Sequence, residues 1–191
     1  CDEEPRAITL NGKALEQVAS LCYLGSTLLG TGQSGLEVQA RISKARQAFG
    51  KLSRCLWSRK EVSVPTKLKV YDAAIRPVLF YGCETWSVTN KDVSQINIFE
   101  NYCRRRILGV SRRDHITIAH LCQQCGHNTD VATLLRANRL QLAGHVLRMP
   151  DSRLAKQILM STDIANWKRP RGCPFQSWRR QVLKDAEACC K

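Results

Sequence analysis

The chain has 191 residues, 43% hydrophobic and 24% charged, with 30 Lys and Arg against 16 Asp and Glu, a formal net charge of +14. That balance excludes wholesale disorder and allows one domain, or two small ones, around a packed core. The cation excess calls for an anionic partner, nucleic acid first and an acidic membrane surface second, while no apolar run reaches the roughly 18 residues of a membrane span.

No signal peptide opens the chain, and Cys1 in place of Met leads us to expect a piece of a longer polypeptide. Ala7-Ile8-Thr9-Leu10 precedes Asn11-Gly12, the dipeptide best suited to a tight hairpin turn. The return strand is expected to run through Leu15 and Val18 to Leu24, and the glycines from Gly25 to Gly35 predict a mobile loop over 29–35. From Leu36 the period changes. Val38, Ile42, Ala45, Phe49, Leu52 and Leu56 form an apolar seam on a helix of about six turns, with Arg41, Lys44, Arg46, Lys51 and Arg54 mostly on its solvated face.

Pro65 suits the first turn of a second helix, which Pro77 should kink or end. A third helix is expected from Asn90 to Leu108, burying Val93, Ile96, Phe99, Cys103 and Ile107 and closing at Gly109. Asp114 is expected to cap a short helix ending at Gly126, and Asp130 or Thr129 a longer one reaching Pro150. A basic linker, Lys168-Arg169-Pro170-Arg171-Gly172, leads to a last helix with Trp178 and Val182 inward. The fold class is therefore mainly α, a short N-terminal β-hairpin followed by helices.

Charge concentrates in the second half, where residues 96–191 carry 17 Lys and Arg against 7 Asp and Glu. The ten cysteines show no repeated spacing and read as reduced thiols of an intracellular protein. Chemistry is sparse. No Asp-Asp or Asp-x-Asp pair, phosphate loop or nucleophile elbow occurs, so independent catalysis is not expected. Cys122 and Cys125 form a zinc half-site, with His120, His127 and His145 as further ligands, yet no second pair follows at finger spacing. No metal or other cofactor is expected in this piece. Trp57 and Trp167 adjoin basic residues and are candidates for base stacking, whereas Trp86 and Trp178 read as core.

Several segments then fall in a familiar order: Tyr23-Leu24-Gly25-Ser26, Arg41-Ile42-x-x-Ala45, Thr66-Lys67, Tyr81-Gly82-Cys83-Glu84-Thr85-Trp86, Arg105-Arg106-Ile107-Leu108-Gly109, Gly144-His145-Val146-Leu147-Arg148-Met149, and Arg171-Gly172-Cys173-Pro174 with Trp178. Together they resemble the C-terminal part of non-LTR (LINE-type, RTE-like) retrotransposon endonuclease-reverse transcriptases. Leu142-Ala143 and Cys173 depart from the family pattern and mark a diverged copy.

The resemblance implies that residues 1–35 close the palm near the primer grip, 36–110 form a thumb-like helical domain and 111–191 a basic helical extension. It implies a non-catalytic, template-primer-binding fragment of an RNA-directed DNA polymerase, whose catalytic carboxylates and divalent metal belong to a palm outside this piece. RNA and DNA (template-primer and target DNA) would be the partners, with no membrane and no small-molecule substrate, in the nucleus with the element's ribonucleoprotein. Tyr23, Leu24 and Gly25 would support the primer terminus, and Arg41, Lys44 and Lys51 would touch phosphates. Arg104, Arg105, Arg106, Arg112, Arg113, His145, Arg148, Lys168, Arg169 and Arg171 would hold RNA or nicked DNA. The alternative is a structural or protein-interaction helical module, a decayed copy without activity.

Overall fold

In the computed structural model the described residues are 9–16, 18, 20–23, 25–29, 34–126, 130–160 and 177–189. Asn11 and Gly12 take the left-handed backbone region, with φ of 51° and 77°. Their turn pairs β1 (Thr9–Leu10) antiparallel with β2 (Lys13–Ala14), Leu10 opposite Lys13, as the Asn-Gly dipeptide predicts. The expected unbroken return strand stops at Ala14 and restarts as β3 (Ser20–Tyr23), which doubles back onto β4 (Ser26–Leu29) with Tyr23 opposite Ser26. Gly25, at φ 82°, supplies the positive φ of that second turn. Of the loop expected over 29–35, Leu29 closes β4, while residues 30–33 lie outside the described set.

Residues Cys1–Gly32 form one compact unit and Gln33–Lys191 a second. The second unit is helical. In α1 (Gly35–Lys51) the predicted seam of Val38, Ile42, Ala45 and Phe49 is buried. The helix does not continue regularly to Leu56. At Leu52 it passes into a π-helical turn, Ser53–Trp57, which carries Trp57 back onto Phe49. The two rings stack at 4.7 Å and 10°, and Trp57 Nε1 donates to the Phe49 carbonyl at 2.7 Å.

The second helix opens as α2 (Val64–Val70), with Ser63 capping it and Pro65 in its first turn. Pro77 neither ends it nor breaks it. A widened π-helical turn, Tyr71–Ile75, leads into α3 (Arg76–Leu79), so the chain absorbs the missing proline N–H and stays helical. Gly82 then turns at φ 72°, a 3-10 turn covers Cys83–Thr85, and Trp86 is buried.

The third helix, α4 (Asn90–Leu108), matches its expected bounds. Thr89 and Asp92 cap it reciprocally: the Thr89 N–H donates to the Asp92 carboxylate at 2.8 Å, and the Asp92 N–H to the Thr89 hydroxyl at 3.3 Å. Ile96, Phe99, Cys103 and Ile107 face the core, and Gly109 closes the helix at φ 71°.

Asp114 does not cap the next helix. Its carboxylate accepts from the Ser111 N–H at 2.6 Å inside a 3-10 turn, Arg112–Asp114, and Thr117 caps α5 (Ile118–Cys125) instead. Asp130 caps α6 (Val131–Leu147), whose Val131 and Leu135 join the same core as α1 to α4. α7 (Leu154–Met160) and α8 (Trp178–Cys189) follow. Trp178 is half-buried and donates through Nε1 to the Glu84 carbonyl at 2.7 Å, while Gln181 reaches the Val88 carbonyl at 2.5 Å. The chain is mainly α, and among the described residues no helix is long and apolar enough to cross a membrane.

Burial, reinforced by the neighbouring Glu100 carboxylate, pushes both the Tyr71 phenol and the Cys103 thiol well above their ordinary values. Both groups stay neutral in the folded chain at a pH where the unfolded chain ionises them. Their contribution to stability is therefore whole below the ordinary thiol range and is lost as pH rises through it. We predict that the urea midpoint of unfolding falls between about pH 8.5 and 11. In Cys103→Ala the fall should be shallower. An equal fall in both proteins would show that the thiol takes no part.

Candidate nucleic-acid interface

The C-terminal half of α4 carries Glu100 and the arginine run 104–106, and the chain treats each arginine differently. Glu100 is only 1% exposed. Its carboxylate receives Arg104 at 2.7 Å, Arg76 from α3 at 3.5 Å and the Tyr71 hydroxyl at 3.5 Å. A buried carboxylate persists only when paired in this way. Arg104, 4% exposed, also donates to Asn101 Oδ1 at 3.1 Å and lies 3.6 Å from Cys122 Sγ on α5. It is thus a buried tie among helices, contrary to its expected place on a phosphate-binding face.

Arg105 structures the following loop, donating to the Ser111 carbonyl at 3.2 Å and the Ile116 carbonyl at 2.7 Å. The loop is otherwise a chain of caps. Gly109 ends α4, Ser111 and Asp114 cap the 3-10 turn, His115 turns with φ 49°, and Thr117 starts α5. A left-handed histidine costs about 1 kcal/mol or more, so the backbone there is held by its surroundings.

Arg106 is exposed and stands between two clefts. One, of about 480 Å³, is lined by Ile98, Tyr102, Arg105, Val110, Arg112 and Ile118 among others. The second, of about 560 Å³, is lined by Ser58, Arg59, Lys60, Val62 and Lys67, and both clefts include Arg106 and Gly109. Neither is lined by an Asp or Glu among the described residues. Lys67 is buried, donating to the Trp57 carbonyl at 3.1 Å, which leaves Arg59, Lys60, Arg106 and Arg112 exposed at the cleft mouths. Helical periodicity does not single out Arg59 and Lys60. The Arg-Lys pair is plain in the sequence, but only the fold brings residues 58–63 against the end of α4.

The remaining expected residues are dispersed. Arg113 is exposed beside Arg112 without lining either cleft, and Lys44 and Lys51 are exposed on α1. Arg41 is not on the solvated face. It is 5% exposed, paired with Glu37 at 2.8 Å and laid over the Tyr81 ring at 4.4 Å. Trp57 offers no face for base stacking because Phe49 covers it. Tyr23 and Gly25 belong to the first unit, where Tyr23 is exposed. His145 lines a third cleft with Cys83, Glu84 and Asn138, while the Arg148 guanidinium folds back over Gly144. Leu24, His127, Trp167, Lys168, Arg169 and Arg171 lie outside the described residues.

Cys122 and Cys125 sit one turn apart on α5, Cys125 buried with its thiol pushed up by that burial. His120 bonds Gln124 at 3.0 Å, and among the described residues no three of His, Cys, Asp and Glu converge.

Over 107 residues the chain is 30% identical to the RNA-directed DNA polymerase from mobile element jockey of Drosophila melanogaster. It resembles part of a mobile-element polymerase. The aligned stretch is 53% of this chain and 11% of that protein, so the chain spans about a tenth of the relative's length. No family model matches the sequence, and no solved structure does.

Removing the Glu100 carboxylate leaves Arg104 and Arg76 facing each other without their shared anion. Glu100→Ala should lower unfolding stability by about 3–5 kcal/mol in urea denaturation. A loss below about 1 kcal/mol, the size for an exposed pair, would contradict the buried hub.

Proposed function

We propose that this chain is a non-catalytic, nucleic-acid-binding piece of a retrotransposon RNA-directed DNA polymerase, its helical unit serving as a thumb-like grip on the template-primer duplex. The observation that carries the reading is the pair of acid-free clefts at the end of α4, with Arg59, Lys60, Arg106 and Arg112 exposed around them. The similarity to a mobile-element polymerase supports the partner class. Cations at a cleft mouth hold phosphates without reading bases, so the grip follows the strand and not its sequence. In the intact element the site of action would be the nuclear ribonucleoprotein, with the Tyr23–Gly25 hairpin near the primer terminus. The palm's carboxylates and divalent metal would come from chain beyond this piece.

Phosphate contacts release counterions, so affinity should fall log-linearly with salt at roughly 0.7–0.9 per contact. We expect an RNA–DNA primer-template duplex to bind the purified chain with such a slope in fluorescence anisotropy. The triple variant Arg59→Ala, Lys60→Ala, Arg106→Ala should flatten it by about two to three units. An unchanged slope in a variant that remains helical by circular dichroism would place the grip elsewhere or remove it.

A further inference from the structure

Resting on that reading, we infer that the cleft between α4 and the loop after it takes a single unpaired nucleotide, its base stacked on Tyr102 and its phosphates on Arg106 and Arg112. Tyr102 is 50% exposed, on the same solvent-facing stripe of α4 as Ile98 and Arg106. Its ring is held from behind: it meets Phe49 edge-on at 6.0 Å and 62°, and Phe49 is stacked on Trp57. The exposed part of the ring is therefore steadied before any ligand arrives. Ile98 and Ile118, also exposed, extend the same floor. Leaving three large apolar side chains in water side by side carries a solvation cost that a stacked base would remove.

Charge and size select the occupant. The floor is apolar, the rim holds Arg105, Arg106 and Arg112, and no carboxylate lines the cleft among the described residues. Arg105 is occupied in ordering the loop, which leaves Arg106 and Arg112 for the backbone. A volume of about 480 Å³ lies within the small-ligand range of roughly 300–1,000 Å³ and admits a nucleotide but not a helix. Paired bases hide their faces inside the stack, whereas an unpaired base offers one to an aromatic ring whatever its identity. The surface thus distinguishes single-stranded template from duplex without distinguishing sequence.

The test uses the whole 191-residue chain, a 12-nucleotide oligouridine and a blunt RNA–DNA duplex, each followed by anisotropy. Tyr102→Ala should weaken oligouridine binding by about 5- to 150-fold and duplex binding by less than about twofold, whereas Tyr102→Phe keeps the ring and should bind like the parent. Equal losses on both ligands, or a loss in Tyr102→Phe as large as in Tyr102→Ala, would overturn the inference. Photocrosslinking of the unaltered chain to 5-bromouridine RNA needs no variant, and the adduct should map to Tyr102. An adduct confined to another segment would overturn it. Salt-dependent duplex binding that survives with Tyr102→Ala harmless to oligouridine would sink this pocket and leave the grip standing. Absence of binding to either ligand would sink both.

Discussion

The buried Glu100 carboxylate is the constraint on which the rest of the helical unit turns. It lies on α4 with 1% exposure, and three groups from three helical segments converge on it: Arg104, Arg76 and Tyr71. Such a pair adds little net stability over an apolar replacement, but it is unforgiving of a missing partner. Its consequence is geometric. Arg104 is drawn inward toward Asn101 and Cys122, which leaves Arg105 to brace the 109–117 loop and Arg106 to face solvent. Three consecutive arginines thereby become a core tie, a loop brace and a cleft divider.

A second set of ties fixes the far side of the unit. The Tyr81–Trp86 segment turns through Gly82 and buries Cys83 and Trp86, with Asn138 of α6 donating to the Cys83 sulfur at 3.1 Å. The backbone of this segment and the residues just after it receives Trp178 and Gln181 from α8. Arg139 on α6 meets Asp185 on α8 at 2.8 Å, and Arg136 adds a longer contact at 3.4 Å. The Trp178 and Gln181 bonds join residues more than ninety positions apart, so the last helix belongs to the same body as the clefts. His145 faces a cleft on this side with Glu84 on its wall, unlike the acid-free clefts at the end of α4.

Periodicity made the helices legible, because a buried seam must recur every three or four residues. Val38 to Phe49, Ile96 to Ile107 and the glycine stop at 109 are of that kind, and so is the Asn11-Gly12 turn. What it could not supply was partnership. The spacings Glu37-Arg41 and Glu100-Arg104 are each i,i+4 and signal pairing of those arginines, yet only tertiary packing decides whether such a pair is solvated or buried. The same limit hid Arg59 and Lys60, whose role depends on a loop meeting a helix end some 45 residues later in the chain. The π-helical turn at Ser53–Trp57 likewise answers to packing, of Trp57 on Phe49, whereas the one at Tyr71–Ile75 precedes Pro77, which the sequence does display.

In the proposed reading the end of α4 and the 58–63 loop form one basic surface for nucleic acid. Hydrogen-deuterium exchange of the whole chain, with and without an RNA–DNA primer-template duplex, tests it most directly. Added protection is expected to concentrate in residues 58–64 and 105–118, with 138–148 unchanged. Protection confined to the 138–148 cleft, or none anywhere at saturating duplex, would contradict it.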